Sequence, residues 1–325
     1  MTTLRVTAVQ PRLRVGEVDE NLRRCDDLVR KAAADTAPDL IVLPEAVTSP
    51  NVYHPSLRSA PTPIDGPAYQ LFCGLARELG CAVGAGYHSV RAVGNGDRDA
   101  HHTYVLAEPG GAAHLHDKDQ PSVWENCYYV GGSDDGVMAT SFGPIGCVLG
   151  FEANRSRTAT RLRAGGVRLI IGGECLPSYP DWPILKGYLR REQDYFWLWA
   201  KETAPVLARA VGAPAALAFH VGDVRMRTPM MPGVPWRSTQ TGETQIVERD
   251  GRVLARMAAA DGEGWVSAEV TLADPEPADP IPAGFWLRPQ PFSIHAVWHL
   301  MNRHGRLKYR LDKARRRFPW QQADH

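Results

Sequence analysis

IGCVLGFEANRSRTATRLRAGGV, residues 145–167, is the stretch whose reading decides the fold. It opens with a short apolar run, Ile145, Val148 and Leu149, that reads as a strand. The chain turns at Gly150-Phe151-Glu152 and continues as a polar, arginine-rich segment of helical character. A strand, a tight elbow and a helix in that order present the elbow residue at a strand end beside helix N-terminal amides. That arrangement suits a reactive group, yet the elbow residue is Gly150, which has no side chain. The pattern names an α/β fold more readily than a reaction.

Outward from the elbow, residues 168–173 (RLIIGG) read as a buried strand ending at Glu174 and Cys175. Residues 40–43 (LIVL) are a second continuous apolar run, as expected of a central strand covered on both faces. Glu45 lies just past its C-terminal end, where open α/β sheets place their ligand crevices. Residues 4–10, 81–87, 103–107, 113–115 and 264–270 read as further strands, and the apolar run 213–222 follows the long helix described next. Leu22, Cys25, Leu28, Val29 and Ala32 recur at helical spacing within residues 21–34. Residues 68–79 give a second helix, and 188–211 a long one expected to kink or split at Pro205 and to end at Gly212. Residues 94–99, Pro109-Gly110-Gly111 and Arg249-Asp250-Gly251 read as turns between strands.

The 325 residues, 44% of them hydrophobic, suffice for a large core in one domain or two fused halves. A net charge of +1 gives no global reason to expect a nucleic-acid partner. No apolar run approaches the roughly 18 residues that span a bilayer. MTTLRVTAVQ reads as a charged strand and not as a signal peptide. The six cysteines lack CxxC or metal-like spacing, which leads us to expect reduced thiols in a cytoplasmic protein. Separately, no metal and no other cofactor is expected.

The elbow resembles that of the nitrilase, or carbon-nitrogen hydrolase, superfamily, whose pattern runs G-hydrophobic-x-x-C-[YWD]-E with L and G-A downstream. Gly146, Phe151, Glu152, Leu162, Gly166 and Val167 take those places in register, and Gly150 falls where the pattern has its cysteine. AVQPRLRVGEVDENL (8–22) and PDLIVLPE (38–45) are similar to the family as well, with Glu45 on its general-base glutamate. HDKDQPSVWENCYYVGG (116–132) resembles the second signature, Y-x-K-x-H-L-P…E…G. Lys118 falls on the catalytic lysine, Pro121 on the proline and Glu125 on the second glutamate, while Asp119 and Gln120 depart from the pattern.

The resemblance implies a four-layer αββα sandwich over residues 1–273. In the family a cysteine thiolate attacks a nitrile or amide carbon and forms a covalent intermediate. A glutamate moves the protons, a lysine stabilises the developing oxyanion, and a second glutamate orients the lysine or the substrate. Glu45, Lys118 and Glu125 match those last three roles; the plainer alternatives are a solvated loop glutamate and a surface lysine between Asp117 and Asp119. Candidate substrate-binding residues are Phe151 and Glu152 at the elbow, Glu174 and Cys175 at the next strand end, Tyr53 in the loop 48–61, and Trp124 beside Glu125.

Other cysteines are weaker nucleophile candidates. Cys147 lies an odd number of residues from Gly150 on the same strand and so on its opposite face. Cys175 is better placed, although a buried small hydrophobe is its plainer reading, and the direction of Cys127 cannot be read. Three readings follow. One is an enzyme acting on a C–N bond of a small molecule by Glu/Lys acid–base chemistry without the cysteine. The others are a pseudoenzyme that binds a small ligand or regulates a partner, and an amidase whose cysteine was replaced deliberately. Burying three charged groups together costs desolvation unless something is gained, which favours retained chemistry.

A Pro-rich linker (274–284, DPEPADPIPAG) leads into a C-terminal extension, 285–325, with nine lysines and arginines against two aspartates. Trp286, Phe292, Trp298, Leu300, Met301, Leu307 and Leu311 interleave with them. A basic amphipathic helix packed on the body or on a partner subunit is expected, and the resemblance implies a homodimer or larger homo-oligomer. Membrane contact through this tail is the less favoured reading.

Overall fold

The computed structural model describes residues 2–94 and 96–322. One sheet holds β1 (Thr2–Gln10), β2 (Leu40–Val42), β3 (Thr62–Pro63), β4 (Ala82–Gly94), β5 (Asp97–Ala107) and β6 (Ala113–Asp117). The second holds β7 (Val137–Thr140), β8 (Gly143–Leu149), β9 (Leu169–Glu174), β10 (Ala215–Phe219), β11 (Val221–Thr228), β12 (Met231–Val247) and β13 (Val253–Ala258). β14 (Gly264–Leu272) then returns to the first sheet, antiparallel to β1 from Leu272 opposite Thr2 to Gly264 opposite Gln10. The orders are β14-β1-β2-β4-β5-β6 with β3 on β4, and β11-β12-β10-β9-β8-β7 with β13 on β12.

The two sheets stack face to face, and the strand alternation shows why. Leu40 and Val42 of β2 pack between the sheets with Leu169 and Ile171 of β9. Ile41 faces the opposite way, towards α1 (Val18–Thr36) and α2 (Pro67–Leu79), and Ile170 faces α3 (Ser156–Ala164) and α4 (Lys186–Val211). Each sheet is thus apolar on both faces, which requires a helix layer outside and the other sheet inside. The architecture is a four-layer αββα sandwich.

Two details differ from the sequence reading. α4 runs unbroken through Pro205, because Thr203, Ala204, Leu207 and Ala208 are buried on both sides of it and packing outweighs the lost backbone bond. Residues 221–247 form a long hairpin, β11 with β12, that the reading did not resolve. Its signal was present, since Val224, Met226 and Thr228 are buried and alternate with exposed Asp223, Arg225 and Arg227. Of the turn expected at 94–99, residue 95 lies outside the described residues.

The extension folds back onto the body. Its helix, α5 (Phe292–Ala314), is pinned by an Asn126 Nδ2 to Asn302 Oδ1 hydrogen bond of 3.0 Å and by Tyr309 donating to Asp99 Oδ1 at 2.7 Å. An Arg58–Asp312 ion pair of 2.8 Å adds a third anchor. Among the described residues no helix is long and apolar enough to cross a membrane.

Candidate active site

Glu45, Lys118 and Glu125 reach one point from three loops. Glu45 leaves the C-terminal end of β2, and β4 runs hard against it. A Cβ on Gly86 would stand 2.7 Å from the Glu45 Cα, so glycine permits that approach. The next residue, Ala46, has φ +58°, and its N–H donates to His102 Nε2 at 3.0 Å. Lys118 follows β6 and donates its backbone N–H to the His102 carbonyl at 2.9 Å. Glu125 sits in a 3-10 turn, Val123–Cys127, and accepts the Ser122 N–H at 2.6 Å. Val123 at φ +51° is a strained conformation for a β-branched residue.

The Lys118 ammonium donates to Glu45 Oε2 at 2.9 Å and to Glu125 Oε1 at 3.1 Å. All three groups are buried, Lys118 completely. Burial pushes the Glu45 carboxyl up to about 7, against the pull of Lys118 and with the repulsion of Glu125. Burial also opposes the Lys118 charge, but Glu125 and Glu45 outweigh it and hold the ammonium above the usual lysine range. At neutral pH the cluster therefore keeps its cation and has one carboxyl close to its titration point. Glu45 Oε1 accepts the Cys175 N–H at 3.0 Å, and His220 Nε2 donates to the Glu45 carbonyl at 2.5 Å. Burial drives His88 to about 3, His220 to about 4 and His102 well below the usual range, so the surrounding imidazoles are neutral.

Gly150, at the end of β8, has φ +56°, a left-handed conformation that glycine adopts at little cost. A Cβ built on it would lie 2.7 Å from Glu45 Oε1, 2.7 Å from Lys118 Nζ and 3.1 Å from Glu45 Oε2. The elbow backbone therefore faces the ion pair directly. The expected helix N-terminus is not beside it. A 3-10 turn, Gly150–Asn154, intervenes before α3 begins at Ser156, whose N–H donates to the Phe285 carbonyl at 3.1 Å.

A cavity of about 210 Å³ opens onto Glu45 and Glu125. Of the six candidate substrate contacts, Trp124, Phe151 and Cys175 line it. Phe151 forms part of the wall and packs on Trp199 and Trp298 with ring centroids 5.4 and 5.6 Å away. The Cys175 sulfur accepts the Asn51 N–H at 3.2 Å, and burial followed by Glu45 holds its thiol well above the usual range.

The other three candidates point elsewhere. Both Glu152 oxygens are spent on Leu149, His116, Asp119 and Arg161, which turns it away from the cavity. Glu174 is buried against Asn154 Nδ2 at 3.0 Å, and Tyr53 packs on Tyr128 beside a separate surface cleft. Cys147 lies in the core between the sheets, and Cys127 in a cluster with Tyr128, Tyr309 and Phe318. Asn51, His102 and Trp236 were not singled out from sequence, nor was the wall that α5 supplies with Ile294, Val297 and Met301. For those α5 residues the only sequence signal was the apolar interleaving of the tail.

The site is thus a buried Glu–Lys–Glu cluster at the strand ends of an αββα sandwich. The sequence model of the carbon-nitrogen hydrolase family matches residues 5–278, and the chain belongs to that family. Among solved structures it is similar to a carbon-nitrogen hydrolase from Helicobacter pylori, at 18% identity over 82% of this chain and 89% of that one, with a TM-score of 0.65. A CN-hydrolase superfamily protein from Xanthomonas campestris, with an arsenic adduct in its active site, matches at 18% identity over 83% and 91%, TM-score 0.61. An amidase mutant from a Nesterenkonia species, carrying the acetamide moiety of fluoroacetamide on its active-site cysteine, matches at 18% over 82% and 89%, TM-score 0.59. No curated protein sequence matches the chain.

Proposed function

We propose that the protein acts on a C–N bond of a small amide or nitrile by Glu/Lys acid–base chemistry, with no covalent enzyme intermediate. The observation that carries this is the convergence of Glu45 Oε1 and Lys118 Nζ on the point, 2.7 Å from each, where a side chain at 150 would begin. We read Gly150 as standing in the place of the family's cysteine. In this reading the Glu45 carboxylate takes a proton from water as the water oxygen bonds to the substrate carbon. The π pair moves onto the substrate oxygen or nitrogen, whose developing charge the Lys118 ammonium beside Glu45 balances in this reading. Glu45 returns its proton to nitrogen: a nitrile becomes the imidic acid, which tautomerises to the amide, whereas in an amide the oxygen pair re-forms the carbonyl as the C–N bond breaks and ammonia leaves, giving the carboxylic acid. A carboxyl near 7 is suited to exchange protons in both directions.

The test is ammonia release and mass-spectrometric detection of product from a panel of amides and nitriles. We expect turnover that Glu45→Gln and Lys118→Met each lower by roughly 10²–10⁴-fold. Because Glu45 must be ionised to accept the proton, the rate should fall as pH drops through about 7. A folded protein without turnover, or turnover untouched by Glu45→Gln, overturns the reading and leaves a ligand-binding protein.

A further inference from the structure

We infer that the substrate carries an uncharged aromatic or branched apolar group, and that the C-terminal extension builds the wall that receives it. This rests on the acid–base reading only in taking the cavity as the substrate site. Besides Glu45 and Glu125, the body supplies Trp124, Phe196 and Trp236 to the cavity lining, and α5 supplies Ile294, Val297 and Met301. Trp124 and Trp236 stand edge to face with ring centroids 5.8 Å apart, a geometry that offers an aromatic group both a ring face and a ring edge.

Charge argues in the same direction. Among the described residues lining the cavity, Glu45 and Glu125 are the charged ones. The nearby cation, Lys118, is already matched by both carboxylates. A substrate carboxylate would meet like charge and find no free cation in an apolar space. A substrate ammonium would surrender its hydration among aromatic rings to reach glutamates that Lys118 already holds.

The α5 wall is fixed. Ser293 donates its N–H to Glu192 Oε2 at 2.8 Å, and its hydroxyl pairs with that of Tyr179, so the polar atoms at the start of the wall are occupied. Further along, Asn302, Tyr309 and Asp312 anchor the helix to Asn126, Asp99 and Arg58. The α5 residues lie beyond the family match, which ends at residue 278. The wall is therefore a feature that this chain adds to the matched domain.

The experiment titrates the full chain with phenylacetamide, acetamide and phenylacetate, following the intrinsic tryptophan fluorescence to which Trp124 and Trp236 contribute and measuring amide turnover in parallel. Phenylacetamide should half-saturate at a roughly 10- to 100-fold lower concentration than acetamide, from burial of the phenyl group. Phenylacetate should bind at least about 10-fold more weakly than phenylacetamide. Val297 is partly exposed, so Val297→Arg can be accommodated without entering a sealed core. It should weaken phenylacetamide and strengthen phenylacetate, narrowing or reversing their ratio. Equal binding of the three probes by the wild-type protein, or no binding of phenylacetamide, overturns the inference. Selective binding of phenylacetamide without turnover of any amide upholds it while removing the acid–base reading. Turnover of acetamide as efficient as that of phenylacetamide upholds the acid–base reading and removes the inference.

Discussion

Two clusters of buried charge meet at the elbow, and their ingredients are nearly the same. In one, Glu152 Oε2 accepts the Leu149 N–H at 2.9 Å and faces His116 Nε2 at 3.0 Å. Its Oε1 accepts Asp119 N–H at 3.0 Å and Arg161 at 2.9 Å. His116 reaches on to Asp134, and both Arg155 and Arg161 to Asp119. Burial alone would raise the Glu152 carboxyl, but His116, Arg161 and Arg155 hold it well below the usual range. Burial likewise opposes the His116 charge, and Glu152 with Asp134 lifts it to about 9. In the other cluster a single ammonium serves two glutamates beside an open cavity, and Glu45 is left at about 7. A saturated network fixes its protons and with them the elbow backbone. An undersupplied one leaves a proton free to move, which is what catalysis requires.

The largest effect that tests this contrast is on stability. Glu152→Gln removes the carboxylate that balances buried His116 and Arg161, and should cost about 3–5 kcal/mol in denaturant unfolding. Glu45→Gln should cost clearly less, because burial already penalises the ionised form it removes. Equal losses would erase the distinction between a structural and a chemical cluster.

A smaller effect separates the clusters by pH. The folded pKa of His116 is raised from 6.5 to about 9, so its contribution is full below about 6.5 and is lost as pH rises through about 9. The loss should reach about 3 kcal/mol, seen as a falling melting temperature. Glu45 is raised from 4.5 to about 7, so its own loss falls in the earlier window between those values. His116→Gln should flatten the alkaline slope and leave the acidic one. An unchanged alkaline slope would mean that His116 is not the charged member of its network.

How far these clusters were legible in the sequence follows from what fixes each side chain. β2 and β9 were readable because a strand buried on both faces is written as an unbroken apolar run, and Glu45 follows from the end of such a run. Lys118 and Glu125 were placed by motif register, since neither loop has a periodicity to read. The direction of Glu152 was not readable. It depends on a 3-10 turn and on His116 and Asp119, more than thirty residues away in sequence. Glu174 ends β9 on the helix-facing side, towards Asn154, while the backbone N–H of its neighbour Cys175 reaches Glu45. One residue decides which side of the sheet a strand end serves, and sequence locates strand ends less finely than that. The cavity wall from α5 rests on contacts between residues near 125 and 300, for which local sequence carries no signal.

The smallest effect sharpens the comparison most, because it asks whether the Glu45 cluster can yield. Gly150→Cys places a side chain at φ +56°, a left-handed strain of about 1–2 kcal/mol. Its Cβ would stand 2.7 Å from the tips of Glu45 and Lys118, flexible ends that can retreat by giving up the Cys175 or Glu125 hydrogen bond. Gly150→Ala measures that cost without a thiol. If the pair gives way, the new sulfur lies beside an ammonium that favours thiolate and a carboxylate that can take its proton. It should then react with iodoacetamide faster than the six native cysteines, five of which are buried. Mass spectrometry of the labelled, folded protein locates the adduct. Activation would rest on Lys118 and not on helix amides, since α3 starts six residues further on, so adding Lys118→Met should slow the labelling. A folded Gly150→Cys protein that stays unlabelled would mean that the Glu45 cluster is as closed as the Glu152 network, and the case for chemistry at the elbow would go with it.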